Sequence, residues 1–165
     1  MNIRFKFIAV ILCSSLCLLA ACKKEEDLSN MKVPRLMIET RGVSYGNLSS
    51  DLVVLPLSRT KINLHQEPVV NEFEVINIDL VKVEMGMAIL IYTTERGARA
   101  LYRASVTNNG NRMVLMINGN PVGARRIDGA IQDGKFYTFV ELPDDELEQF
   151  VLDVKDTITQ LQAEK

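Results

Sequence analysis

Hydrophobic and polar positions along the chain change period several times, and each change marks an element. Residues Phe7 to Ala21 form a nearly unbroken apolar run behind Arg4 and Lys6. Lys23 to Lys32 is then polar and charged with a single Leu28, which reads as a flexible spacer. Arg35 to Thr40 is a short extended run, and the turn-rich stretch from Gly42 to Ser50 separates it from a second strand, Leu52 to Leu55, that stops before Pro56. Between Lys61 and Thr93 valine and isoleucine alternate with polar residues, the period of a strand. Gly86 divides the last part of that region into two strands, Val75 to Met85 and Met87 to Tyr92.

A helix is predicted from Thr94 to Asn108. Thr94 supplies a side-chain acceptor for a free first-turn amide, Glu95 suits the positive end of the dipole, and Asn108-Asn109-Gly110-Asn111 tolerates the left-handed conformation of a helix end. Ala98, Leu101, Tyr102 and Ser105 are expected on its buried face, with Ala100 and Ala104 beside it. Arg112 to Ile117 is an apolar strand, Asn118-Gly119 a hairpin turn, and Pro121 makes the returning strand irregular or places it at an edge. Gly129 and Gly134 frame a loop before the aromatic and β-branched strand Lys135 to Val140. Pro143 is expected at the first position of a last helix, near residues 144 to 162, where Leu147, Phe150, Val151, Val154, Ile158 and Leu161 recur every three or four residues. The fold class is therefore α+β: a mainly antiparallel sheet with two helices packed on it.

The first apolar run ends in Leu19-Ala20-Ala21-Cys22 and is followed by Lys23-Lys24-Glu25-Glu26-Asp27. At 15 residues it is shorter than the ~20 that a membrane-crossing helix needs, and its small residues suit a peptidase. The pattern resembles bacterial lipoprotein signal peptides, which implies that residues 1–21 are removed, that Cys22 is acylated, and that residues 22–33 are a lipidated N-terminus and spacer ahead of a single domain, 34–165. Ten fully extended spacer residues reach ~35 Å at most. Lys23, where inner-membrane retention would have Asp, implies by the same resemblance the periplasmic face of the outer membrane.

This reading changes the weight of composition. The remaining 144 residues are the size of one domain able to bury a core, with 17 basic and 21 acidic side chains, a balance that argues against nucleic acid as a partner. Cys13 and Cys17 leave with the signal and Cys22 carries lipid, so the domain has no thiol for a disulfide, a nucleophile or a thiolate metal site.

Candidate chemistry thins out on inspection. Gly129-Ala-Ile-Gln-Asp-Gly134-Lys135-Phe136 nearly spells a phosphate loop, but phenylalanine stands where a hydroxyl is needed and the segment runs into a strand. Ser58-Arg-Thr-Lys61 matches a Ser-x-x-Lys pair but lies among strand residues without companion motifs. His65 is the only histidine, so no zinc constellation exists, and Asp144, Asp145 and Glu146 are explained by the start of a helix. No catalytic, cofactor or metal residue is assigned. Arg96, Arg99 and Arg103 share the polar side of the first helix; they are either a solvated face or a docking surface for an acidic partner or a lipid headgroup. Arg125-Arg126 adds a second basic pair.

From Gly86 to Leu161 the chain presents Thr94-Glu-Arg-Gly97-Ala98, Asn109-Gly110, Val114-Leu-Met-Ile117-Asn118-Gly119, Val122-Gly-Ala124, Ile127, Gly134 and Asp144-Asp-Glu-Leu147. In order and spacing this resembles the head of the first periplasmic domain of SecD, a subunit that assists the bacterial Sec translocon, over residues 86–161. The resemblance implies a non-catalytic α+β domain that binds or guides polypeptides in export or envelope assembly. It transfers no catalytic residue, and it implies none of SecD's proton-driven cycle, because the membrane helices of SecD are missing from the sequence after residue 21. Two other expectations stand beside it: a structural lipoprotein linking the membrane to other envelope components, and a hydrolase in which Ser58 and Lys61 or distant carboxylates converge.

Overall fold

β6 (Arg112–Ile117) carries five consecutive buried residues after Arg112, which a strand can hold only if both of its faces are covered. The structure, a computed structural model that describes residues 31–40 and 51–163, shows how this is done. The chain divides after Asn30, and the second unit, Met31–Lys165, contains every described residue. β6 lies between β1 (Pro34–Ile38) and β7 (Asn120–Arg126) in an antiparallel sheet. Met113, Leu115 and Ile117 join the main core, while Val114 and Met116 point the other way into a second, smaller cluster with Leu55, Ile62 and Leu64. That second cluster lies under the hairpin of β2 (Asp51–Val54) and β3 (Lys61–Leu64).

The remaining strands form a third antiparallel sheet of order β4-β5-β8, from β4 (Val75–Val83), β5 (Gly86–Thr93) and β8 (Lys135–Thr138). Single bridges add further ties: Glu39 to Leu64 of β3, Leu36 of β1 to Val70, and Gly123 of β7 to Val140 just past β8. All strand pairings among the described residues are antiparallel, as the sequence predicts, but they fall into three sheets rather than one. Pro121 has its predicted effect: the β6–β7 register slips between Leu115 and Met116, a bulge beside the residue without an amide donor.

Helix α1 (Glu95–Thr107) contributes Leu101 to the main core, and α2 (Leu147–Ala163) contributes Phe150, Val151, Val154 and Ile158, packing on β4. Fully burying side chains of this size contributes about 1.5–3 kcal/mol each, so the α2 stripe is a principal tie between helix and sheet. Two predictions for the helices need correcting. Tyr102 is 46% exposed, because the buried stripe of α1 is Gly97, Leu101 and Ser105 at four-residue spacing, and Tyr102 lies one position round from it. Pro143 precedes the helix rather than opening it: Asp144–Glu146 form a separate tight turn, with Pro143 as its cap residue, before α2 begins.

The chain is fastened where it enters this unit. The Lys32 amide donates to Thr157 Oγ1 at 2.8 Å, and Lys32 Nζ lies 2.7 Å from Asp153 and over the Phe150 ring. Asn118 accepts from the Val33 amide through Oδ1 and donates through Nδ2 to the Met31 carbonyl. No helix among the described residues is long and apolar enough to cross a membrane.

Candidate functional site

The first turn of α1 is held tightly against the sheets by small residues. Thr94 Oγ1 accepts from the Gly97 amide at 3.2 Å, while the Thr94 amide donates to the Glu74 carbonyl at 2.8 Å. A Cβ on Gly97 would sit 2.8 Å from Thr93 Cβ and 3.3 Å from Glu74 Cβ, so only glycine permits this approach. Gly134, at φ +68°, approaches Ala98 from the loop before β8 in the same way. The same loop is pinned further along, where the Ile131 amide donates to the buried Ser105 hydroxyl at 2.9 Å. Thr94, Gly97, Ala98 and Gly134 of the sequence pattern are thus one packing unit.

With its inner face fixed, α1 must present its arginines outward. Arg96 Nε lies 3.0 Å from Glu74 Oε1, and Glu74 also accepts from the Asn71 amide through Oε2. Arg96 is therefore committed to a nearly buried carboxylate. Arg99 stands 3.7 Å from Glu95, itself almost fully exposed, which is a weak surface pair. Arg103 has no ion pair among the described residues. A shallow groove of about 470 Å³ runs along this side, lined by Arg96, Ala98, Arg99, Tyr102, Arg103 and Gln132. Gln132 comes from the loop that Ser105 pins, so one wall is helix and the other is loop.

A second hollow of about 420 Å³ shares Gln132 and reaches Leu90, Lys135, Phe136 and Tyr137. There the Arg125 guanidinium stacks 3.5 Å from the centre of the Tyr137 ring and donates to the Tyr137 carbonyl at 3.4 Å. Lys135 lies 5.5 Å from the centre of the Tyr92 ring. Cations stacked on aromatic rings with forked donors free at the surface can hold carboxylates and peptide carbonyls. Neither groove contains a nucleophile paired with a base.

The other sequence candidates take structural positions. The Ser58 hydroxyl donates to Thr60 Oγ1 at 2.9 Å, and the Leu57 and Ser58 amides both donate to Glu141 Oε2. Burial pushes the Glu141 carboxyl up, but the Ser58 and Leu57 donors outweigh it and leave the group below the usual carboxylate range. His65 Nδ1 accepts from the Glu67 amide at 3.2 Å. Gly129 to Gly134 leads into β8, and Asp144 to Glu146 form one tight turn. Among the described residues no group of three His, Cys, Asp or Glu side chains could hold a metal ion. Cys22, most of the spacer, and the turn-rich stretch from Gly42 to Ser50 lie outside the described residues. Reading the sequence alone missed Gln132, which has no local signal, and Glu74, which had one: Asn71-x-x-Glu74 is the spacing of a capping box, and that box is formed.

No family model matches the chain, and no curated protein matches it. Solved structures do. One described as the structure and function of a membrane component SecDF that enhances protein export aligns with a TM-score of 0.55 at 15% identity, covering 76% of this chain and 62% of the other. A crystal structure of SecDF in super-membrane-facing form aligns with a TM-score of 0.56 at 17% identity, covering 75% of this chain and 18% of the other. The chain therefore shares a SecD-like α+β fold while spanning less than two thirds of the length of either protein.

Proposed function

Starting from that shared fold, we propose that this chain is a lipid-anchored cell-envelope protein whose domain binds polypeptides in export or envelope assembly, without catalysis of its own. The observation that carries the reading is the likeness in fold to a membrane component that enhances protein export, over three quarters of the chain. Fold alone is an analogy, and the surface gives it physical content. The groove beside α1 offers guanidinium, phenol and amide groups suited to polypeptide, and it lacks the paired nucleophile and base of a hydrolase. The lipobox-like Leu19 to Cys22 supports attachment through acylated Cys22, at the periplasmic face of the outer membrane by the Lys23 rule.

Crosslinking in the native envelope followed by mass spectrometry tests this. The reading expects translocon subunits or exported chains to be enriched over a Cys22→Ala control that also loses labelled palmitate. Equal recovery from both proteins would refute it.

A further inference from the structure

The α1 groove has a charge pattern that selects among polypeptides. Of its three arginines, Arg96 is held by Glu74, Arg99 has only the weak partner Glu95, and Arg103 has no ion pair among the described residues. Two forked donors are thus available, one helical turn apart, on a protein that is otherwise net acidic. Four residues of helix rise about 6 Å. Same-side side chains of an extended peptide, at positions i and i+2, are about 6.6–6.8 Å apart. The two repeats match closely enough for flexible side chains to close the difference.

We propose that this groove docks an extended, acidic polypeptide segment in which carboxylates alternate with other residues, lying along α1 with one carboxylate on Arg99 and the next on Arg103. Tyr102, 46% exposed and lining the same groove, offers an amphipathic surface to the backbone of the occupant, while the intervening side chain points away from the helix. Gln132, on the loop wall, brings a side-chain amide that can both donate to and accept from the peptide backbone of the occupant. A peptide with adjacent carboxylates presents only one of them to the helix, since successive side chains of a strand point to opposite sides. Spacing, and not total charge alone, sets the preference. The proposal rests on the polypeptide-binding reading above and adds the chemistry of the partner.

The test uses the full-length chain in detergent and two labelled peptides of identical composition, Thr-Asp-Val-Asp-Thr and Thr-Asp-Asp-Val-Thr, with a neutral Thr-Asn-Val-Asn-Thr, read by fluorescence anisotropy. An exposed charge pair is worth up to about fivefold in affinity, so the alternating peptide should bind about fivefold tighter than its isomer. Arg99→Glu and Arg103→Glu should each abolish that preference, with the thermal melt within a few degrees of the parent because Arg99→Glu replaces only the weak Glu95 pair by a like-charge one, and Arg103→Gln serves if the reversal fails to fold. Raising salt should weaken the alternating peptide most. Equal binding of the isomers, or a preference that survives both substitutions, overturns the proposal. So does binding to phosphatidylglycerol vesicles that depends on Arg99 and Arg103 and is not displaced by the alternating peptide. Binding of the neutral peptide with the same affinity overturns the acidic preference but leaves polypeptide binding standing.

Discussion

Gly123 is where the sheet of β1, β6 and β7 is closed onto the segment that follows β8, and Gly123→Ala isolates what that closure contributes. A Cβ at this position would overlap the Phe139 carbonyl oxygen and lie 3.0 Å from Val140 Cα. Both are backbone atoms, so no side chain can swing away to relieve the clash. The Gly123–Val140 bridge must open, and the 2.7 Å hydrogen bond from the Glu141 amide to the Val122 carbonyl is strained with it. Overpacking costs about 1–3 kcal/mol and the lost hydrogen bond about 1 more. A total of about 2–4 kcal/mol lowers the melting temperature of a domain this size by roughly 8–15 °C. The companion variant is Gly129→Ala, where a Cβ meets nothing within 4 Å and no positive φ is required. There the smaller conformational freedom of the unfolded chain should stabilise by about 0.4–1 kcal/mol. Thermal unfolding followed by circular dichroism separates the two. If Gly123→Ala melts within about 2 °C of Gly129→Ala, the backbone approach is not enforced and the closure argument is wrong.

Thr94→Ala removes the acceptor of the Gly97 amide and should cost about 1 kcal/mol in denaturant unfolding; an unchanged midpoint would show that the cap is idle. Acid should destabilise the domain. Hydrogen bonding by Arg35 holds Glu72 below the usual carboxylate range, Lys155 does so for Asp79, and Lys32 followed by Gln149 for Asp153. Each has a folded pKa below its unfolded value, so its contribution is complete above the ordinary range near 4 and is lost as pH falls through the folded value. Melting temperature should be level from neutral pH to about 5 and fall below about 4, and Glu72→Gln should flatten that fall; a constant melting temperature down to pH 2.5 would contradict this.

How much of this was written locally in the chain depends on the range of the interaction. α1 was legible because Thr94, Glu95 and Asn108 to Asn111 act within one turn of the helix they bound. The β4–β5 and β6–β7 hairpins were legible because Gly86 and Asn118-Gly119 sit at their turns, each with positive φ. β1 pairing with β6 was not, since Leu36 and Leu115 meet only after the whole intervening chain has folded. The second core was hidden for the same reason: Val114 and Met116 are apolar on the face opposite Met113 and Leu115, a sign that something covers them, but only the fold shows that it is the hairpin carrying Ile62 and Leu64. For the site, the helical spacing of Arg96, Arg99 and Arg103 placed them on one side. It could not show that Glu74 engages Arg96, because that pair depends on how the sheet and helix meet. Tyr102 was misplaced because tyrosine is apolar enough to be counted in the buried stripe, whereas glycine at 97 is the residue that packs.

The central claim is that the α1 face contacts polypeptide in the cell envelope. A photo-crosslinking amino acid at position 102, compared with one at exposed Leu57 on the β2–β3 hairpin tip, tests it most directly. Irradiation of living cells should give adducts of exported polypeptides or translocon subunits from position 102 and not from 57, and Arg99→Glu with Arg103→Glu should remove them. The same adduct profile from both positions, or adducts at 102 that persist without the two arginines, would contradict the account.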